Sequence, residues 1–135
     1  RGRRGWWDCD SWNVYAHIAE MIPPMLKQMK EAGYGFPVLM YEDFTKYEYT
    51  DEEGEAARAK WNTILDSIIQ AFEIENGISN GDLLDLGTRP TKKQKEFGKE
   101  HCEKFDMKLL TNKDRQVRKE GWKNFQLYFH NLWDW

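Results

Sequence analysis

The chain has 135 residues, 23 Asp and Glu against 20 Lys and Arg, and a net charge of −3. That length fits one domain with a single core. No apolar run approaches the roughly 20 residues a membrane span needs, a 15% aromatic content argues against a disordered chain, and two cysteines argue against a disulfide scaffold.

The 7 Trp, 6 Tyr and 7 Phe equal Val, Ile and Leu together in number, although mean hydropathy is only −0.86. The core is therefore expected to be built largely from rings. Residues 1–10 read as a basic, Trp-bearing arm. Arg1, Arg3 and Arg4 supply its charge, and Trp6 and Trp7 follow. No apolar stretch succeeds the arginines, so a signal peptide is not expected. Without an initiator Met, the sequence is expected to begin inside a longer natural protein. Cys9 and Cys102 fit reduced thiols in a cytoplasmic protein.

The first helical period runs from Ser11 to Ala32. Trp12, Tyr15, Ala16, Ala19, Ile22, Leu26 and Met29 share one face. Asp10 or Ser11 can cap it. Pro23-Pro24 predicts a kink, or two helices meeting near Ile22, and Gly33 a C-terminal cap. Residues 34–49 lack a helical period and read as an aromatic loop, with Phe36 to Tyr41 a candidate for a short extended piece. Thr50-Asp51-Glu52-Glu53 is a capping box. Trp61, Ile64, Leu65, Ile68 and Phe72 then mark a helix expected to stop at Asn76-Gly77 after Glu75. In the loop from Ile78 to Arg89, the leucines pin the chain to the core.

Pro90-Thr91 and Gln94 open a third helix. Its stripe of Phe97, His101, Phe105 and Leu109 stands among lysines and glutamates, so that helix should be largely exposed. Thr111 to Asp114 is either a break or the inside of one long helix. Val117, Trp122, Phe125, Phe129, Leu132 and Trp133 form the last apolar face. The expected fold is all-α: a small bundle of four to five helices with an aromatic-rich core and a long aromatic loop.

Charge is segregated along the chain. From Arg89 to Lys123 there are 12 Lys and Arg against 6 Asp and Glu; from Glu42 to Glu55 there are 7 acidic residues against Lys46 alone. Such blocks are solvated surface or a steering dipole. Metal ligation is not expected, because His17, His130, Cys9 and the adjacent His101-Cys102 lack ligand spacing. No nucleophile motif is present. No cofactor is expected. Asp8 and Asp10 flank Cys9 and serve either as helix caps or as carboxylates for a divalent cation. Arg3 and Arg4 beside Trp6 and Trp7 suit a phosphate and a base. Tyr41 and Tyr47 lie outside regular periodicity. These eight residues are the candidate contact positions.

Arg4-Gly5-Trp6-Trp7-Asp8-Cys9-Asp10-Ser11-Trp12-Asn13, Ile22-Pro23-Pro24-Met25-Leu26-Lys27 and Gly35-Phe36-Pro37 resemble motifs of a family of small tailed-bacteriophage proteins. Trp61-Asn62, Ile64-Leu65-Asp66, Ala71-Phe72-Glu73 and the ending Leu132-Trp133-Asp134 extend the resemblance over most of the chain. Tyr15 stands where the family pattern has an acidic residue, and Phe36 where it has a tyrosine. The resemblance implies a phage origin and the cytoplasm of an infected bacterium; it implies no activity. The reading is a non-enzymatic accessory protein that binds a host or bacterial-defence protein, as inhibitor or takeover factor. One alternative is a nucleotide or phosphorylated-ligand binder using the Arg/Trp arm and the basic helix face. Another is a metal-dependent enzyme using Asp8 and Asp10.

Overall fold

A computed structural model describes residues 14–33 and 35–132. Within them lie four helices: α1 (Val14–Ala32), α2 (Asp51–Ser79), α3 (Lys92–Phe105) and α4 (Asn112–Tyr128). Short 3-10 turns cover Val38–Met40 and Phe129–Asn131. The fold is a small all-α bundle with aromatic clusters. Its centre is α2, with α1 and α4 packed along it.

The reason lies in α2's own sequence. Trp61, Leu65, Ile68, Ala71 and Phe72 are all within 1% of complete burial. Burying rings and branched chains of that size contributes about 1.5–3 kcal/mol each. Phe72 meets Trp122 and Phe125 of α4 at 4.9 and 5.1 Å, and Trp61 meets Tyr128 edge-on at 5.7 Å. Ion pairs Lys27–Glu73 (2.6 Å) and Lys30–Asp66 (2.8 Å) flank the α1–α2 contact.

Helix α1 is continuous through Pro23-Pro24 and does not split into two helices near Ile22. The prolines remove donors to two carbonyls, but Ala19, Pro23 and Leu26 are buried on the side that packs against α2. That packing offsets the lost bonds. At the other end of α2, the helix passes Asn76-Gly77 and closes at Ser79. Gly77 lets the Leu83 side chain pack close to the helix, since a Cβ there would lie 2.7 Å from Leu83 Cδ1. Gly81, at φ +79, is the residue that takes the left-handed turn after the helix.

Both capping boxes expected from the sequence form, Thr50 with Glu53 and Thr91 with Gln94, and the structure adds a third, Thr111 with Asp114. The third of these settles the break between α3 and α4, together with Asp106 in the left-handed region. Leu83–Leu84 (β1) pairs in parallel with Lys108–Leu109 (β2), a two-residue bridge that the sequence did not signal. Phe36 to Tyr41 is not an extended piece, because Val38–Met40 turns as a 3-10 helix under Pro37.

Helix α4 approaches α2 at Gly121, where a Cβ would come within 2.3 Å of the Ser67 carbonyl oxygen and of Ala71 Cβ. The last apolar face is only partly core. Trp122 and Phe125 pack on the central cluster, whereas Phe129 leaves the helix and is 57% exposed.

Candidate functional site

The aromatic loop folds back on the first three turns of α2. Its anchors are the buried Pro37 and Met40. These bring Tyr41 into a stack on Tyr49, with centroids 3.6 Å apart and planes 9° from parallel. Phe36 tilts against Tyr41 at 5.3 Å. Arg58 of α2 lies 4.8 Å over the Phe36 ring and donates to the Gly33 carbonyl at 3.2 Å. One cation thus fastens the end of α1 and the loop to α2.

Between loop and helix runs an open groove of about 630 Å³, lined by Phe36, Tyr41, Tyr49, Asp51, Arg58 and Asn62. Ligand sites commonly have volumes of this order. A smaller hollow of about 350 Å³ lies on the other side of Tyr41, beside Glu42 and Glu53. Among the described residues, two buried side-chain polar atoms have no hydrogen-bond partner: Tyr49 Oη and Asn62 Oδ1. Both belong to residues lining the groove.

The rim is charged and partly paired. Lys46 donates to Glu53 Oε2 at 2.8 Å and sits 5.9 Å over the Tyr49 ring. Hydrogen bonds from Lys46 and from the Thr50 backbone hold the Glu53 carboxyl below its ordinary range. Loss of hydration pushes the Tyr49 phenol up, and the Asp43 carboxylate adds to this. Asp43 itself is held low by the Thr45 hydroxyl and backbone N–H, at 2.6 and 3.0 Å.

No protein-family model, curated protein or solved structure matches this chain.

Of the eight sequence candidates, Tyr41 is in the groove and Tyr47 is not; Tyr47 is fully exposed. Arg3, Arg4, Trp6, Trp7, Asp8 and Asp10 lie outside the described residues, as do Cys9, the expected caps Asp10 and Ser11, Trp12, Tyr34 and Trp133. The groove residues Phe36, Tyr49, Arg58 and Asn62 are not among the eight, although Phe36 and Tyr49 belong to the aromatic loop that the sequence marks as a place for a contact surface. Arg58 and Asn62 stand one turn apart on α2, and that spacing places them on one face.

A polar knot between α1, α2 and α4 was not expected from the sequence. Glu75 is completely buried. Its carboxylate accepts from Arg118 Nε, from the Tyr15 hydroxyl and from Trp122 Nε1, the last at 3.0 Å. Arg118 reaches on to Asp85 at 3.7 Å, and Arg115 bonds Asp85 at 2.8 Å. Burial alone would raise the Glu75 pKa, but the bonds from Arg118, Tyr15 and Trp122 bring it below the ordinary carboxylate value. Burial and the neighbouring carboxylate push the Tyr15 phenol up to about 12. A signal existed: Glu75 follows Ile68 and Phe72 at helical spacing, so it occupies the apolar stripe.

The knot engages part of the basic segment, because Arg115 and Arg118 are committed to internal pairs. Helix α3 carries many of the lysines at the periphery. Its inner face is Gly98 and Cys102, while Phe97 and Phe105 are 61% and 56% exposed. His101 sits between their rings at 5.5 and 4.6 Å. Among the described residues, no three potential ligands converge on a metal position, and no helix is long and apolar enough to cross a membrane.

Proposed function

We propose that the chain is a phage accessory protein that acts by binding a host or bacterial-defence protein in the infected cell's cytoplasm. It performs no chemistry of its own on this reading, and serves as an inhibitor or takeover factor. The observation that carries it is the groove: a stacked Tyr41–Tyr49 pair, Phe36 and Arg58 around an open cleft with two polar atoms lacking partners. Tyr and Arg are among the residues that dominate binding hot spots. The phage assignment rests on the resemblance of the Trp-rich motifs.

The test is co-purification from host lysate with the intact chain and with Tyr41→Ala. A host protein retained by the native chain and lost from the variant is the expected result. Equal recovery with both, or no specific protein with either, contradicts the proposal.

The exposed Phe97–His101–Phe105 ladder on lysine-bearing α3 favours a second reading, a nucleotide or phosphorylated-ligand binder. It predicts a nucleotide released on heat denaturation and a thermal shift with added nucleotides that is lost in Phe97→Ala. An extract without 260 nm absorbance, together with no shift, removes it.

A further inference from the structure

We propose that the groove receives a lysine or arginine side chain carried on a linear segment of the partner. This rests on the partner-binding reading and names the chemistry of what is bound.

Shape comes first. The groove follows one face of α2 from Thr50 and Asp51, through Gly54 and Arg58, to Asn62. Twelve residues of helix span about 18 Å, which five to six residues of extended chain would match. The cleft is therefore long and shallow enough for a peptide segment.

Charge comes second. Asp51 and Glu55 line the mouth, within a stretch of 7 acidic residues against one lysine from Glu42 to Glu55. A cation is steered towards this end of the molecule. The walls suit it too, since aromatic faces attract cations. The loop already uses that chemistry twice, with Arg58 over Phe36 and Lys46 over Tyr49.

The unpaired atoms select among cations. Asn62 Oδ1 is an acceptor, and the Tyr49 hydroxyl oxygen can accept as well. Ammonium and guanidinium groups are donors only. Arg58 stands one turn before Asn62 with its Nη2 donating to the Gly33 carbonyl, and both oxygens remain unbonded. An incoming basic side chain that displaces the atoms covering Asn62 and Tyr49 makes two hydrogen bonds the free protein leaves unmade.

Amide-resolved NMR of the full chain tests the idea. The probe is an acetylated, amidated hexapeptide of alternating glycine and arginine. The expected result is saturable shifts at Tyr41, Tyr49, Gly54 and Asn62, none with the glutamate counterpart, and affinity roughly tenfold lower in Asn62→Leu. Tyr49→Phe, the milder change, should also weaken binding with an unaltered spectrum, and Glu96→Gln on α3 should leave it intact. Shifts spread over Asp43 to Glu48 instead, equal affinity in Asn62→Leu and Tyr49→Phe, or the same groove shifts from free spermidine at the same strength would each overturn it. A captured host protein lost in Tyr41→Ala, with no peptide shift, would sink this inference and leave the binding function standing. Peptide shifts at the groove without any captured protein would do the reverse.

Discussion

Two regions shield polar side-chain atoms from solvent, a tyrosine hydroxyl among each set, and they treat them in opposite ways. In the knot, Glu75 is wholly buried and takes donors from Arg118, Tyr15 and Trp122. In the groove, Tyr49 Oη and Asn62 Oδ1 are equally out of solvent and have no partner. A buried polar group without a bond costs about 1–3 kcal/mol. The knot is thus a fastening among three helices, whereas the groove carries an unmet demand. That difference separates the structural polar cluster from the candidate binding one.

Breaking the knot gives the largest effect. Arg118→Met strands the buried Glu75 charge, and urea unfolding should show a loss of about 3–5 kcal/mol. The added change Glu75→Leu should recover much of that loss, since replacing both partners removes the uncompensated charge. If Arg118→Met is neutral, the knot is not a fastening. Next comes the helix contact beneath it. Gly121→Ala forces α4 away from the Ser67 carbonyl and should cost about 1–3 kcal/mol by the same measurement.

The knot also has a pH signature. The Glu75 carboxyl is depressed in the folded chain, so its contribution is present above the unfolded value of about 4.3 and is lost as pH falls through the lower folded value. The stability gap between native chain and Glu75→Gln should close on acidification below about pH 4. Tyr15 behaves in the opposite sense. Its phenol is raised to about 12, so its contribution is full below about 10 and disappears as pH rises through the folded value. Absorbance titration near 295 nm should show a late phenol at about 12 that is absent from Tyr15→Phe.

Much of the fold was legible in the sequence because it rests on local chemistry. The Thr50 and Thr91 caps with partners three residues on are complete signals in themselves, and the Trp61–Phe72 stripe needs no neighbour to be recognised; the same pattern at Thr111 and Asp114 left the break there undecided. The end of α2 was misplaced because two glycines lie four residues apart, and only the contact with Leu83 shows why Gly77 belongs inside the helix. At Pro23-Pro24 the alternative of two helices fails for a similar reason, since packing of Ala19 and Leu26 decides what propensity leaves open. Neither polar region could be assembled from sequence. Tyr15, Glu75 and Arg118 are 60 and 43 positions apart. Tyr41 was picked out by its irregular surroundings, but its partner Tyr49 and the groove residues Arg58 and Asn62 depend on how the loop folds back.

The most direct test deletes the same oxygen atom in each region. Tyr15→Phe and Tyr49→Phe should be compared by urea unfolding at neutral pH. The expected loss is about 1.5–3 kcal/mol for Tyr15→Phe, because a bond to a charged group is removed, and no loss, or a small gain, for Tyr49→Phe. A Tyr49→Phe loss as large as that of Tyr15→Phe would mean the Tyr49 hydroxyl is bonded in the free protein, and the contrast between the two regions would be gone.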